Sequence, residues 1–341
     1  MFEPVALDVR RRPSLVSGLE ITDFASPDTE LICPYFHQRF FAADSRSFIC
    51  QGTFDGAHEA VLVRMEEAKA WRLTDGGANV HTADLAPDPR TLYFTRDQAL
   101  WSVDVETGAE ARLRDLPAED GYTCLRCVHR NADGSLIAAA ANREHASGVR
   151  EGRVWAIPID GGPARAIVDR PFQIGHVQFS TTDPGLVMYC HETGGPSPQR
   201  IWLARVDGKH SGALFDDPGH PWVTHETFTR NGEWVVFVRH PDGMGMIRPD
   251  NTDYRALDAP RAWHPGPTSD ASAIIHDTHT GEIRLLLPNE DMRLVKLSES
   301  ELVPGGPHPH PCFAPDDRTA IWTSSGSGKA CASVIDVSGV I

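Results

Sequence analysis

The sequence predicts an all-β chain folded as a seven-bladed β-propeller with four-stranded antiparallel blades. Two observations carry that expectation. A turn built around Asp or Asn recurs seven times along the chain, and each copy is followed by a short run with the two-residue alternation of a half-buried strand. No stretch has the 3.6-residue apolar period of a long helix.

The seven turn copies run from Phe41 to Phe48, Leu85 to Leu92, Arg130 to Leu136, Phe179 to Leu186, Phe228 to Trp234, Pro267 to Ala273 and Phe313 to Thr319. Each links an innermost strand to a second one, as Asn231-Gly232 does with a strong hairpin-turn pair. The second strands alternate, for example Trp234 to Val238 and Thr319 to Thr323. A third strand follows in most units, seen at Ala99 to Val103, Arg153 to Ile157 and Arg200 to Ala204. A further turn, such as Asp207-Gly208, leads to a short outer strand. Four short strands in each of seven units is the pattern of a propeller.

Ring closure is legible too. The last unit has strand-like runs near Ala320 and from Ala332 to Asp336, but lacks a fourth. The stretch Ser17 to Asp23 resembles the fourth-strand segment Thr107 to Leu113. The chain, 1–341, is therefore expected to be a single propeller in which residues 14–25 complete the last blade and cover an edge prone to aggregation.

Bulk composition narrows the function. With 341 residues, 40% of them hydrophobic, the chain has ample material for a large core. No run approaches the roughly 18 apolar residues of a membrane span, and no apolar stretch follows the charges of Arg10-Arg11-Arg12, so a secretory signal is not expected. Seven cysteines, odd in number and sparse, read as reduced thiols of a cytoplasmic protein. The formal charge of −15 argues against nucleic acid and anionic membrane as partners. An anionic ligand would need positive charge supplied locally by its site.

Histidine recurs at one position of the repeat. His176, His225, His264 and His310 each open the innermost strand of their unit, 39 to 49 residues apart, with His308 just ahead of the last. Gln38, Thr82 and Cys127 hold that position in the earlier units. Repeats around an axis bring such residues together. The start of the first strand and the loop between the second and third strands share one face. His191, Glu192, Arg200, Arg143 and His145 are expected on that same face.

Two constellations stand out. In His308-Pro309-His310 the prolines stiffen the backbone and deny it ladder donors, and alternation puts both imidazoles on one side. With His264 at the same depth, three imidazoles can converge on a divalent cation. The bland reading is a wet channel of histidines bonded to one another. His225 with Arg200 forms the second: an imidazole able to accept a proton beside a guanidinium able to fork onto a carboxylate. His176, His191 and Arg143 are candidate substrate-binding or lining residues. His37, His81 and His129 lie off the register and read as structural. Trp101, Trp155 and Trp202 recur at repeat spacing and read as core, whereas Trp222 and Trp263 precede face histidines and are candidates to stack on a sugar ring.

These residues resemble those of the oligogalacturonate lyases. The resemblance runs from Tyr35-Phe36-His37-Gln38 and is densest over Gly175 to Phe179, Cys190-His191-Glu192, Arg200-Ile201-Trp202, Thr224-His225-Glu226 and His308 to Pro311. It implies a cytoplasmic seven-bladed propeller that cleaves short uronic-acid oligosaccharides by β-elimination. It implies a manganese ion, or another divalent metal, held by His264, His308 and His310, with His225 and Arg200 as catalytic residues. The family's glutamine ligand falls at Gly305 in this chain, with Glu301 nearby as a replacement. That departure leaves open a uronide-binding or sensor propeller, or a lyase for a different uronide.

Overall fold

The computed structural model describes residues 3–341 other than 87, 89, 125–127, 198, 217–221, 300, 301, 303–305, 326 and 327. Among the described residues the chain forms seven antiparallel sheets arranged as the blades of one ring. The fourth, fifth and sixth blades are regular, each running from an inner to an outer strand in chain order. Their inner strands are Ile174–Phe179, Val223–Phe228 and Ala262–Pro267, and their second strands are Leu186–His191, Val235–Arg239 and Ile274–Thr278. The third strands, Ile201–Arg205, Gly243–Ile247 and Ile283–Leu287, start from the same end as the inner ones.

The core lies between blades. Inner positions are buried on both faces: Val235–Val238 reads as an apolar run and not as an alternation, and Val223–Phe228 is buried throughout although four of its six residues are polar. Ala138, Ala140 and Val154 of the third blade pack against Val177, Phe179 and Val187 of the fourth. Blades approach closely at their turns. Gly232 has φ of 72°, and a Cβ there would stand 2.1 Å from Thr182 Oγ1 of the preceding blade, so this turn requires glycine.

The N-terminus closes the ring, as the sequence indicates. Glu20–Ala25 pairs with Cys331–Asp336 and is the fourth strand of the last blade. The structure goes further, because Asp8–Pro13 pairs with Glu20–Ala25 and adds a fifth strand. The outermost strand is thus the arginine-rich 8–13, whose charges guard the exposed edge. Glu3–Val5 caps the first blade by pairing with Lys69–Arg72.

The first blade departs from the repeat. Its innermost segment makes only isolated bridges, Ile32 with Gln51 and Phe41 with Phe48. Between them the chain leaves the blade. The Tyr35 amide bonds the His81 carbonyl of the second blade at 2.9 Å, and the Gln38 amide closes a turn on the Tyr35 carbonyl at 2.8 Å. Residues 35–37 therefore enter the axis as a plug. Among the described residues no helix is long and apolar enough to cross a membrane.

Closure by the N-terminal strand gives a direct test. Ile21 is fully buried against Ile335 and Trp322. Ile21→Ala lowers the unfolding free energy by about 2–5 kcal/mol in denaturant melts. Deleting residues 1–25 bares the Cys331–Asp336 edge, and light scattering then detects association of the truncated chain.

Candidate metal and catalytic site

The inner strands break register at one level, and that break aims the histidines. In the fourth blade Gly175 pairs with Cys190 and Gln178 with Met188, so His176 and Val177 together face Tyr189. In the fifth, Thr224 pairs with Val238 and Thr227 with Val236, leaving His225 and Glu226 opposite Phe237. In the sixth, Ala262 pairs with Thr278 and Pro265 with His276, leaving Trp263 and His264 opposite Asp277. Two residues against one is a β-bulge, a device that re-aims a side chain. His176, His225 and His310 have φ of 47°, 52° and 49°, a left-handed conformation unfavourable for residues with a Cβ.

Re-aimed in this way, the imidazoles meet at the axis. The His225 and His264 rings are 4.3 Å apart, and His264 is 4.4 Å from His310 and 5.4 Å from His308. His308 and His310 lie 6.0 Å apart with nearly parallel rings. Their shared side is as expected, although the segment is irregular and the strand begins only at Cys312. His176 is 6.1 Å from His225. Tyr35 of the plug touches five imidazoles, from His310 at 4.8 Å to His264 at 5.9 Å. His81 belongs to the same cluster, 5.4 Å from His310, and His37 lies 6.2 Å from His176. His37 and His81, read from the sequence as structural, thus pack within this cluster.

A buried aspartate fixes His264. Asp277 Oδ1 accepts the His264 amide at 2.7 Å, and its two oxygens stand 3.1 and 2.9 Å from His264 Nδ1. Nδ1 therefore carries a proton, which leaves Nε2 as the nitrogen available to a metal. Such a carboxylate–histidine pair fixes tautomer and ring orientation at metal centres. His264, Asp277 and His308 bring potential ligand atoms within 4.8 Å of one another. His310 adds an imidazole whose Nδ1 is buried without a hydrogen-bond partner. This set of imidazole nitrogens with an anchored carboxylate suits a divalent cation.

Burial lowers the pKa of His310 and His225 well below the ordinary histidine value, and the neighbouring imidazoles and Arg200 add to the effect at His225. His225 is neutral at neutral pH, with Nδ1 buried and without a partner. Trp263 holds its ring edge-on at 4.4 Å. Tyr35 is pushed well up by burial and stays protonated.

Arg200 is held otherwise than the sequence suggests. It is 2% exposed, and its donors are taken by two carboxylates. Nε bonds Glu226 Oε2 at 3.2 Å, while Nη1 and Nη2 bond Glu192 Oε1 and Oε2 at 3.3 and 3.2 Å. Glu226 is fully buried, with its other oxygen 3.3 Å from His176 Nδ1, in ion-pair range but off line for a hydrogen bond. Burial pushes Glu192 up, but the charge and hydrogen bonds of Arg200 outweigh it and bring the carboxyl down to about 2.

The other candidates are less central. His191 stacks on Phe172 at 4.0 Å and meets Ser197 Oγ at 3.4 Å. Arg143 is tied to Glu151, bonds the Asp120 carbonyl at 2.7 Å and lies over Tyr122, a cluster of its own on the third blade. Trp222 and Trp263 meet edge to face at 5.7 Å. Gly305, Glu301 and Cys127 lie outside the described residues. Asp277, Glu226 and Tyr35 were not singled out as site residues by sequence reasoning. The one usable signal was Pro34-Tyr35-Phe36-His37, which interrupts the alternation where an inner strand belongs.

Comparison with known proteins places this geometry. A family profile described as oligogalacturonate lyase matches residues 5–248. The match includes Arg200 and His225 and stops before His264. The oligogalacturonate lyase of Dickeya dadantii (strain 3937) is 23% identical, with 92% of each chain covered. A solved oligogalacturonate lyase in complex with manganese superposes with a TM-score of 0.87 at 21% identity, covering 98% of this chain and 97% of that one. A second, from Vibrio parahaemolyticus, gives 0.88 at 20% identity with 98% of each covered. Likeness at this identity establishes the shared propeller.

Two measurements follow from the site. Asp277→Asn leaves the fold intact but weakens manganese binding by about 10–100-fold in calorimetric titration. His37, His129 and His276 are all lowered, chiefly by burial, from an ordinary value of 6.5, His276 to about 4. The unfolded chain then binds more protons than the folded one below that ordinary value. Stability is complete above pH 6.5 and falls towards pH 4, by about 1.4 kcal/mol per pH unit for each such imidazole. Thermal midpoints recorded across that window check the sign.

Proposed function

Because this chain belongs to the oligogalacturonate lyase family, we propose that it is a metal-dependent carbon–oxygen lyase that cleaves short, anionic uronic-acid oligosaccharides by β-elimination. The observation that carries the reading is a neutral, buried His225 whose ring lies 4.3 Å from His264 of the imidazole triad. A proton acceptor beside a cation-binding set is what this elimination needs.

The reaction removes the proton on C5, next to the uronate carboxylate, and expels the substituent on C4. Negative charge grows on the carboxylate as the C5–H bond breaks. His264, His308 and His310 are the residues that would hold manganese or another divalent ion, with Asp277 orienting His264. A divalent cation bound there supplies Lewis-acid stabilisation of that charge. His225 accepts the C5 proton at Nε2, the ring nitrogen away from its buried Nδ1. Its low pKa keeps it free to accept at neutral pH, but also makes it a weak base. The C5 proton must therefore be acidified by positive charge held against the carboxylate. Trp263 on one side and Phe36 on another keep the His225 ring from turning and limit water around it. Arg200 contributes a fixed positive charge, braced by Glu226.

The remaining elements of the reading are coarser. We read the chain as one domain acting in the cytoplasm, in keeping with the buried thiols of Cys33, Cys50, Cys124, Cys190, Cys312 and Cys331, which form no disulfide among the described residues. His176 and His191 line the approach to Arg200.

Manganese-loaded protein incubated with short oligogalacturonates gives an unsaturated product absorbing in the ultraviolet, and a chelator abolishes the signal. His308→Ala loses the metal, whereas His225→Ala retains it and loses at least about 100-fold in kcat. Absence of product from every uronide tested overturns the lyase reading.

A further inference from the structure

We infer that Glu192 holds, in the resting protein, the place at Arg200 that the carboxylate of the uronide takes on binding. The inference rests on the lyase reading for the identity of its ligand, but its evidence is the geometry of the pair.

Arg200 sits at the start of a third strand, on the face where the imidazoles converge, and only 2% of it is exposed. Its inner edge is committed to the fully buried Glu226 through Nε. Its outer edge, Nη1 and Nη2, meets both oxygens of Glu192 side by side. That paired geometry is the one a guanidinium offers any carboxylate. The two carboxylates differ in freedom. The Glu192 side chain is 24% exposed, so it can leave without opening the core. Its other contacts are modest. Oε1 accepts the Gly194 amide at 2.8 Å, while Oε2 stands 3.8 Å from His176 Nε2 and 3.9 Å from Cys190 Sγ. The chain beyond it runs through Gly194 and Gly195, around which a Cβ would meet nothing within 4 Å.

Charge points the same way. One guanidinium against two carboxylates leaves this network net negative, a poor receptor for an anion. Exchange of Glu192 for the ligand carboxylate spares Arg200 a third carboxylate and keeps the guanidinium paired throughout. Glu192 is thus a positioning residue with a second effect: it competes with the substrate and weakens its binding.

The test uses D-galacturonate as the probe, titrated calorimetrically into manganese-loaded protein. Glu192→Gln keeps the size and removes the competing charge, and binding tightens roughly five-fold, as for loss of one partly exposed ion-pair competitor. With oligogalacturonate the same variant lowers KM and leaves kcat no higher. Asp242→Asn, which removes a carboxylate from the same end of the next blade, leaves affinity unchanged. Affinity that stays the same or falls in Glu192→Gln, or rises equally in Asp242→Asn, overturns the inference. Should Glu192→Gln fail to fold, a crystal structure of the wild type with D-galacturonate decides. A uronate on Arg200 with Glu192 displaced supports the exchange, and an intact Arg200–Glu192 pair overturns it. These outcomes read binding alone. A wild type that binds but forms no unsaturated product overturns the lyase reading and leaves the exchange standing.

Discussion

Everything at the axis depends on a break in register that three successive inner strands share. A regular strand would point residues 176, 225 and 264 alternately into the flanking blades, where the core is apolar. The bulges at Gly175–Gln178, Thr224–Thr227 and Ala262–Pro265 rotate these side chains out of the ladder and towards one another. Left-handed φ values at His176 and His225 are the local cost, of order 1–3 kcal/mol each, and the surrounding four-stranded blades are rigid enough to impose it. The last blade reaches the same end by other means. His308-Pro309-His310 lies ahead of its strand, and the Pro309 carbonyl is fixed by the Thr323 amide at 2.8 Å. Ring closure by Glu20–Ala25 completes that blade, so the histidine geometry depends on the N-terminal strand.

Packing imidazoles this closely decides their protonation. Coulomb repulsion between neighbouring rings and the loss of solvation act in the same direction, and both favour the neutral form. For His225 and His310 burial is the larger cause and the neighbouring rings add to it. These two rings consequently present lone pairs and not charges. Anchored carboxylates define how the neighbouring rings face. Asp277 claims Nδ1 of His264, and Glu226 stands against Nδ1 of His176 while it braces Arg200.

How much of this the sequence disclosed follows from what each feature encodes. The blades were legible because turn chemistry and alternation are local, and His176, His225, His264 and His310 were legible because a repeat carries register with it. The bulges were not, since an inserted residue in a strand leaves no mark unless glycine occupies it. Asp277 and Glu226 stood in plain view within strands. Without the bulge, however, alternation assigns them no particular neighbour, and a charged residue in a strand is more often at the surface. Tyr35 was visible only as an irregularity. Its role as a plug depends on the His81 carbonyl of the next blade receiving its amide, a tertiary contact with no sequence signature. Arg200 was placed correctly in the fold, but its two carboxylate partners come from 8 and 26 residues away, one just past the end of Leu186–His191 and one within Val223–Phe228.

The charge of the assembled pocket constrains the order of events. Arg200 is set against Glu192, Glu226 and Asp277 at the described site, and burial keeps His225 and His310 neutral, so these two imidazoles contribute no compensating charge. The bare pocket is therefore negative, within a chain of formal charge −15, and it repels a uronide. Two positive contributions can reverse this: a divalent cation on His264, His308 and His310, and departure of Glu192 from Arg200. The first requires the lone pairs that burial has preserved. A pocket that filled with protonated imidazoles would attract the anion but could neither bind the cation nor accept a proton. Neutral histidines make the site a worse anion trap but leave it free to accept a proton. Metal and anionic ligand then bind with positive coupling, each raising the affinity of the other by the same factor, and the ligand carboxylate is drawn to the side of the pocket where proton removal can occur.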